Sequence, residues 1–259
     1  MVELILRTFL FAILTLTVFI SCDSNTSVDP QEPYYPDYYP DDIGSTFKYS
    51  VTETDTLGNI VQEGTRNILY SRTTMYNGTN YTTQEDSLDF GGQSSVSTYL
   101  FRETNTAVYY AVDTNQISLF IPDTLKQYVT LRTEMQLLFY PLASGSSWSL
   151  YRVTAEVQPG TEIKILDIIA SFDGTEYIAL NIDSLSVVVP SRRVKYTLEL
   201  FTEIGSPPET YSAYMWFVAS IGLVKYQGNQ IIVSGGGGGI TFEPSPNIIT
   251  QDLIHYNIE

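Results

Sequence analysis

Residues 192–203 read RRVKYTLELFTE, and this stretch decides the fold class. Apolar and charged or hydroxylated side chains alternate along it. The apolar set is Val194, Tyr196, Leu198 and Leu200. Because successive side chains of a β-strand point to opposite faces, the period of two predicts a half-buried strand rather than a helix.

The same signals recur along the chain. Residues 129–137 alternate in the same way, and Ile60–Tyr76 is a further predicted strand run that ends at Asn77-Gly78, a strong hairpin signal. Residues 162–172 and 176–183 are predicted as two further strands. No amphipathic helix of three turns is found after residue 42. The sequence therefore predicts an all-β, antiparallel fold: one large curved sheet or sandwich, or two similar β subdomains.

Composition restricts the partners. Hydrophobic residues make up 43% of the 259 residues and aromatic residues 13%, which is enough for a sizeable core. The formal net charge is −16. Because a surface this acidic repels phosphate backbones, we expect no nucleic-acid binding. The negative charge also disfavours peripheral docking on anionic lipid.

The N-terminus carries a targeting signal. Residues 8–20 (TFLFAILTLTVFI) form an uncharged apolar run that is shorter than a membrane-spanning helix needs. It ends in Phe19-Ile20-Ser21-Cys22, and Cys22 is the single cysteine of the sequence. This arrangement resembles the lipobox of bacterial lipoprotein signal peptides. The resemblance implies cleavage before Cys22 and acylation of its thiol.

The lone thiol fits this interpretation, since a disulfide within the chain would need a second cysteine. Several acyl chains on Cys22 would give stable anchoring that one chain does not. The alternative is an ordinary cleaved signal with an accidental cysteine. We expect a lipid-anchored protein of the bacterial cell envelope, at the outer membrane, on either its periplasmic or its surface face.

Four segments are predicted. They are a signal peptide (1–21), an acidic tether rich in Pro and Tyr (22–42), a first β subdomain (43–140) and a second β subdomain (141–259). The tether carries four tyrosines, Tyr34, Tyr35, Tyr38 and Tyr39. These could bind a partner, but Pro-rich compositions are typical of spacers, and docking of the tyrosines back onto the first strand is favoured.

An internal repeat marks the start of each predicted subdomain. Residues 38–47 (YYPDDIGSTF) match residues 139–148 (FYPLASGSSW) at a constant offset of 101. The physical interpretation is a proline that fixes the approach, a Gly-Ser turn and a large aromatic residue that enters the core as a strand begins. Chance similarity between two strand starts is the alternative.

Two stretches carry a family resemblance. Residues 140–148 (YPLASGSSW) and 216–226 (WFVASIGLVKY) resemble segments of poorly characterised lipoproteins from Bacteroidetes-like bacteria. Ser220 stands where those proteins usually have a small glycine. The resemblance implies a secreted β-sheet lipoprotein with a curved sheet or sandwich. It brings no catalytic residues.

Candidate catalytic motifs are weak. Ser45-Thr46-Phe47-Lys48 matches the S-x-x-K motif of penicillin-recognising enzymes, in which both residues face one another at the start of a helix. Here the segment alternates as a strand, so positions three apart point to opposite faces. The repeat explains Ser45 as a turn residue.

Other candidate sites are equally weak. Gly235 to Gly239 lack the Lys-Ser/Thr of a phosphate loop and predict a hairpin tip between residues 230–233 and 240–242. His255, the only histidine, lacks fellow ligands for zinc and is expected to be a half-exposed strand residue. No metal and no cofactor are expected.

The sequence therefore favours a non-enzymatic, membrane-anchored binding or structural module, whose protein, lipid or glycan partner is unknown. One alternative is a carrier or chaperone for lipid or lipoprotein with an apolar cavity in a curved sheet, of the kind that localisation factors of the outer membrane use. Another is a carbohydrate-binding module that uses exposed tyrosines and Trp216. A cavity of a few hundred Å³ would favour the carrier, and a closed core would count against it.

Overall fold

A computed structural model describes residues 35–183, 185–202, 205–234, 239–242 and 244–259. The signal peptide, Cys22 and most of the proposed tether lie outside these residues. Strands dominate the described chain, and the one α-helix within it, α1 (Thr114–Ile117), has four residues. The all-β prediction is confirmed. No helix among the described residues has the length and apolarity that a membrane span requires.

Twelve strands form one antiparallel sheet. They are β1 (Thr46–Thr54), β2 (Ile60–Tyr76), β3 (Thr79–Phe90), β4 (Gln93–Thr104), β5 (Ala107–Ala111), β6 (Glu134–Phe139), β7 (Ser147–Gln158), β8 (Thr161–Ile182), β9 (Leu185–Leu200), β10 (Glu209–Val218), β11 (Gly222–Asn229) and β14 (Ile248–Asn257). A separate hairpin pairs β12 (Val233–Ser234) with β13 (Ile240–Thr241).

The strand order shows how the sheet curves. It runs β6-β5-β4-β3-β2-β1-β14-β11-β10-β9-β8-β7, so strands from both predicted subdomains share one sheet. The two edge strands, β6 and β7, follow one another in the chain and lie side by side, which nearly closes the sheet. Of the predicted arrangements, the structure shows the single curved sheet. The boundary between subdomains near residue 140 stays a prediction.

Side chains rather than a backbone ladder bridge the seam between the two edges. Trp148 Nε1 donates to the carbonyl of Gln136 at 3.1 Å, and the Tyr151 hydroxyl donates to that of Arg132 at 2.8 Å. The Tyr196 hydroxyl on β9 reaches across to the Leu137 carbonyl at 3.2 Å. These hydrogen bonds pair carbonyl groups at the edge of the sheet, which could otherwise accept hydrogen bonds from a strand of another chain.

The two copies of the predicted repeat share the Gly-Ser turn and the buried aromatic residue but differ at the proline, since Tyr140-Pro141 is a cis peptide bond and Tyr39-Pro40 is trans. Ser45 N donates to Asp42 O at 3.2 Å, and Ser146 N donates to Ala143 O at 2.9 Å. The glycine before each serine has a positive φ, +100° at position 44 and +84° at position 145. The following aromatic residue, Phe47 or Trp148, is buried at the second position of its strand. Both strand starts thus use the predicted turn and aromatic anchor.

Three strand predictions need correction. Of the predicted strand 129–137 only residues 134–137 lie in β6, which continues to Phe139. A 3₁₀ turn at Lys126–Tyr128 precedes the region, and residues 129–133 are irregular. The strands predicted at 162–172 and 176–183 are one strand, β8. Its pairing with β9 continues on both sides of a register shift between Phe172 and Gly174. The predicted 230–233 strand is reduced to the start of β12.

The structure shows the outcome of two turn predictions, at Ser220 and at the glycine run. Ser220 adopts a φ of +61°, so the tight turn forms although serine replaces glycine. For the glycine run, β12 and β13 pair as the predicted hairpin. Its tip at positions 235–238 lies outside the described residues.

The two ends of the curved sheet differ. At one end, here called the open end, lie the β1–β2 turn (55–59), the β3–β4 turn at Gly91-Gly92 and the excursions 112–133 and 230–247. At the opposite, closed end, residues 35–42 enter the sheet interior, and we call them the N-terminal plug. Their tyrosines Tyr38 and Tyr39 are buried, so docking back onto the body is confirmed for these two. Their ring contacts are with Tyr140 and with residues of β4, β5 and β10 rather than with the predicted first strand.

Contacts with several strands hold the plug. The Tyr39 ring lies 5.3 Å from that of Phe101 between centroids, and the Asp37 carbonyl accepts a hydrogen bond from Ser220 N at 2.7 Å. Carboxyl groups also gather here. Burial raises the pKa of Glu103 to about 8, and the nearby charge of Asp37 adds to the effect, while the Tyr140 hydroxyl donates to Glu103 at 3.0 Å.

The raised pKa of Glu103 makes the free energy of unfolding depend on pH. Between the ordinary value of 4.5 and about 8 the folded protein keeps a proton that the unfolded chain has lost, so stability falls as pH rises through this window. We expect Glu103→Gln to gain stability relative to the unsubstituted protein between about pH 5 and about pH 9. Urea unfolding at both pH values measures this gain, and the exposed Glu63→Gln control should show none. An equal response of the two variants would contradict the prediction.

Candidate functional site

Of the catalytic candidates named by the sequence, Lys48 on β1 and His255 on β14 are cross-strand partners with exposed side chains, whereas Ser45 is buried. Ser45 is fully buried and accepts a hydrogen bond from Glu259 N at 3.3 Å, whereas Lys48 is exposed on β1. His255 is half-exposed on β14 and pairs with Asp183 at 2.8 Å. Within the described ranges no group of three or more His, Cys, Asp or Glu side chains could hold a metal ion.

The structure also corrects the role considered for Trp216. Its side chain is buried on β10, and its Nε1 donates to the Glu176 carboxylate. The Lys225 ammonium lies 5.4 Å from the ring centroid. Trp216 is therefore a packing residue and offers no open face for a sugar ring to stack on.

A cavity of about 300 Å³ occupies the interior of the curved sheet. Its floor is Tyr39 and Pro40 of the N-terminal plug, and its rim at the open end includes Glu53 and Gln62. Most of the lining is apolar. Lining side chains from the middle of the cavity include Tyr49, Ile68, Tyr70, Tyr99, Met135, Ile168, Met215 and Phe217.

The strand period explains which side chains line the cavity. Along β2, alternate residues point inward, and Gln62, Arg66, Ile68 and Tyr70 all contribute to the wall. On β4 two inward positions, Ser95 and Ser97, are small and leave space between the aromatic residues.

One polar cluster interrupts the apolar wall. Arg66 Nε donates to Asp86 Oδ2 at 2.8 Å, and Arg66 Nη2 donates to the same oxygen. Gln84 Nε2 donates to Asp86 Oδ1 at 2.9 Å, and the Tyr110 hydroxyl donates to Gln84 Oε1 at 2.7 Å. On the other side, Arg66 Nη1 donates to Gln251 Oε1 at 3.0 Å. These hydrogen bonds join residues of four strands, β14, β2, β3 and β5. They also pair the charges of Arg66 and Asp86 with each other.

The surroundings raise the pKa values of Arg66 and of two phenols close to it. Burial acts to lower the pKa of Arg66, but the carboxylate of Asp86 more than offsets it and raises the pKa above its usual range. Burial raises the pKa of the nearby Tyr39 and Tyr99 to about 12. At neutral pH the guanidinium is therefore charged and both phenols are protonated.

Part of Arg66 faces the cavity. Its side chain keeps 20% of its surface accessible, against 5% for Asp86. Since Arg66 lines the wall between the rim and the floor, its accessible surface is open to whatever enters the interior.

Sequence reasoning missed this cluster. A signal was present, because Arg66 and Asp86 each occupy the inward, apolar phase of a strand. Nothing in the sequence showed that the strands curve around a cavity or that the two residues meet.

The matching strand pair of the second repeat is built without charges. Counting from Phe47 and Trp148 through the strand registers, Arg66 corresponds to Ile168 and Asp86 corresponds to Tyr196. Ile168 and Tyr196 also line the cavity. One side of the cavity is thus polar at this level, and the equivalent positions on the other side are an aliphatic residue and a phenol.

Comparisons with known proteins do not assign a family. No family description matches the chain, and no curated protein matches it. Among solved structures, a "putative lipoprotein" of Parabacteroides distasonis is 11% identical with a TM-score of 0.44, over 86% of this chain and 99% of its own. At such a score and identity the similarity carries no conclusion about the present chain.

Two further solved structures are similar to the same degree or less. An exported protein of Bacteroides fragilis with a YmcC-like fold, also described as "putative", is 11% identical with a TM-score of 0.45, over 86% of this chain and 100% of its own. The "hypothetical lipoprotein YmcC" of Escherichia coli is 11% identical with a TM-score of 0.29, over 80% and 83%.

Removal of one member of the buried ion pair should be costly. We expect Asp86→Ala to lower the free energy of unfolding by about 3 kcal/mol, because it leaves the Arg66 cation uncompensated in an apolar wall. The double variant Arg66→Met/Asp86→Leu should recover most of this loss. Asp89→Ala, an exposed carboxylate on the same strand, serves as the control with an expected change within about 0.5 kcal/mol. Urea unfolding that gives Asp86→Ala and Asp89→Ala the same free energy of unfolding would contradict this prediction.

Proposed function

We propose that this protein is a lipid-anchored, non-enzymatic protein of the bacterial cell envelope that binds an apolar small molecule inside its curved sheet. The observation that carries the proposal is the cavity of about 300 Å³ that opens at one end of the sheet. Of the hypotheses drawn from the sequence, the carrier is the one that such a cavity favours.

The size and lining of the cavity support a small-molecule ligand. Ligand sites are typically concave and mostly apolar, with a few polar groups that fix orientation, and their volumes begin at roughly 300 Å³. The lining here combines Tyr, Phe, Ile, Leu and Met side chains with the cluster around Arg66. Transfer of apolar surface from water to such a wall is favourable.

The proposed membrane attachment rests on the sequence. The lipobox at Phe19-Ile20-Ser21-Cys22 supports acylation of Cys22, and the net charge of −16 leaves acyl chains as the plausible contact with an anionic membrane. Within the described residues, the N-terminal plug belongs to the closed end, opposite the cavity rim.

The other hypotheses have less support. A purely structural module gives no reason for an apolar interior that side chains leave partly empty. A carbohydrate-binding module was expected to present Trp216, which is buried. The proposal of a non-enzymatic role is supported by the burial of Ser45, because the exposed neighbours Lys48 and His255 then lack that hydroxyl as a nucleophile.

Binding in the cavity can be tested by blocking it. We expect the neutral fluorophore N-phenyl-naphthylamine to bind the purified protein saturably, with one site per chain. Ser97→Phe adds a ring to the cavity wall and should weaken this binding at least about tenfold. Ser94→Phe places the same ring on the same strand outside the cavity lining, where it should leave binding unchanged. Equal binding by both variants, or no saturable binding at all, would contradict the proposed function.

The anchor has a separate test. Cys22→Ala should remove the mass of the acyl groups from the mature protein and move it from the detergent phase to the aqueous phase on phase partitioning. Ser24→Ala, two residues further on, should behave like the unsubstituted protein. Retention of Cys22→Ala in the detergent phase would show that something other than acylation of the thiol anchors the protein to the membrane.

A further inference from the structure

The polar cluster in the cavity leaves hydrogen-bond donors unused. A guanidinium has five N–H groups, and among the described residues the bonds of Arg66 use one on each of its three nitrogens. Two N–H groups of Arg66 are left for a ligand. They belong to the side chain whose accessible surface is open to the cavity.

Gln251 adds to this surplus. Its Oε1 accepts from Arg66, which fixes the orientation of the amide, because the opposite orientation would set two donors against each other. The NH₂ group of Gln251 makes no hydrogen bond within the part of the chain that the structure describes. Arg66 and Gln251 therefore present donors that need an acceptor from elsewhere.

Both carboxylate oxygens of Asp86 already accept hydrogen bonds from within the cluster. Asp86 Oδ2 accepts twice from Arg66, and Asp86 Oδ1 accepts from Gln84. A ligand that carries an oxygen acceptor would complete the cluster. A purely apolar ligand would leave the donors unpaired after it displaced water from them, which is costly.

The charge balance decides what kind of acceptor fits. The Arg66 cation is neutralised by Asp86, so the cluster has no net charge to offer an anion. The charged side chain at the rim is Glu53, a carboxylate that accepts from Gln62 Nε2 at 2.5 Å and from Asn247 Nδ2 at 2.6 Å. An anionic head group would meet a neutral pair inside and a negative charge at the rim.

The depth of Arg66 below the cavity rim also favours an uncharged acceptor. Arg66 lies four residues along β2 from Gln62 at the rim, which is about 13 Å at the rise of a β-strand. The acceptor must therefore be carried well below the rim. Burial of a charged head group at that depth would require its desolvation without a counter-charge.

We infer that the ligand is an uncharged amphiphile: an apolar chain or ring system with a carbonyl oxygen of the ester, ketone or amide type. The carbonyl accepts hydrogen bonds from Arg66 and Gln251, and the apolar part fills the cavity towards Tyr39. This inference rests on the proposed function and assigns the chemical class of its ligand.

Displacement of bound N-phenyl-naphthylamine by three ligands of one chain length tests the inference. Methyl decanoate carries a neutral carbonyl, decanoate carries a charge, and decane has no acceptor. At neutral pH we expect the ester to displace the probe at concentrations at least about tenfold lower than either of the others. Preference for decanoate, or equal displacement by decane and the ester, would overturn the inference.

Variants show whether the cluster makes the distinction. Arg66→Met/Asp86→Leu replaces the buried pair by apolar residues of similar size and should keep probe binding while it abolishes the preference for the ester over decane. Arg72→Met/Glu85→Leu removes an exposed ion pair from the same two strands and should keep the preference. A preference that survives the first substitution would overturn the role of Arg66. Failure of the probe itself to bind the unsubstituted protein would instead overturn the proposed function.

Discussion

The seam between β6 and β7 is the constraint on which the rest of this structure depends. The two edges of a twelve-stranded sheet meet there, and the side chains of Trp148, Tyr151 and Tyr196 donate to carbonyls on or beside β6. A closed sheet of about eight strands has an interior that side chains just fill, and the diameter grows with strand number. With twelve strands the interior is too wide to be filled, so a cavity follows from the closure.

The same width explains the large residues and the covered ends. Aromatic side chains reach far into the interior, and Tyr39 enters from the closed end to pack against Phe101 and Phe217. At the open end the excursions between β5 and β6 and between β11 and β14 contribute Ile117, Ile231 and other buried residues without filling the space beneath them. The cavity is what remains between these two coverings.

Local signals in the sequence predicted the strands well. The period of two along β9, the Asn77-Gly78 turn and the repeated turn before Phe47 and Trp148 are all properties of short segments, and the structure confirms them. The continuity of β8 was missed because Gly174 resembles a strand break, yet pairing with β9 on one side holds it in the sheet.

The candidate site could not be predicted in the same way, since it depends on contacts between distant residues. Arg66 and Gln251 are 185 positions apart and meet only because β14 lies beside β1. The notable local sign was a charged residue in the apolar phase of a strand, and such residues often lie at an irregular edge. The strand order, which no local pattern contains, turns this sign into a cavity wall.

The two repeats provide an internal comparison for the charged pair. At the level where the first repeat has Arg66 and Asp86, the second has Ile168 and Tyr196, and both strand pairs belong to the same sheet. The same sheet therefore accommodates uncharged side chains at the equivalent positions. Buried ion pairs are on balance seldom stabilising compared with apolar residues of the same volume. A pair that is costly to desolvate and open to an apolar cavity fits the uncharged amphiphile that we propose as the ligand.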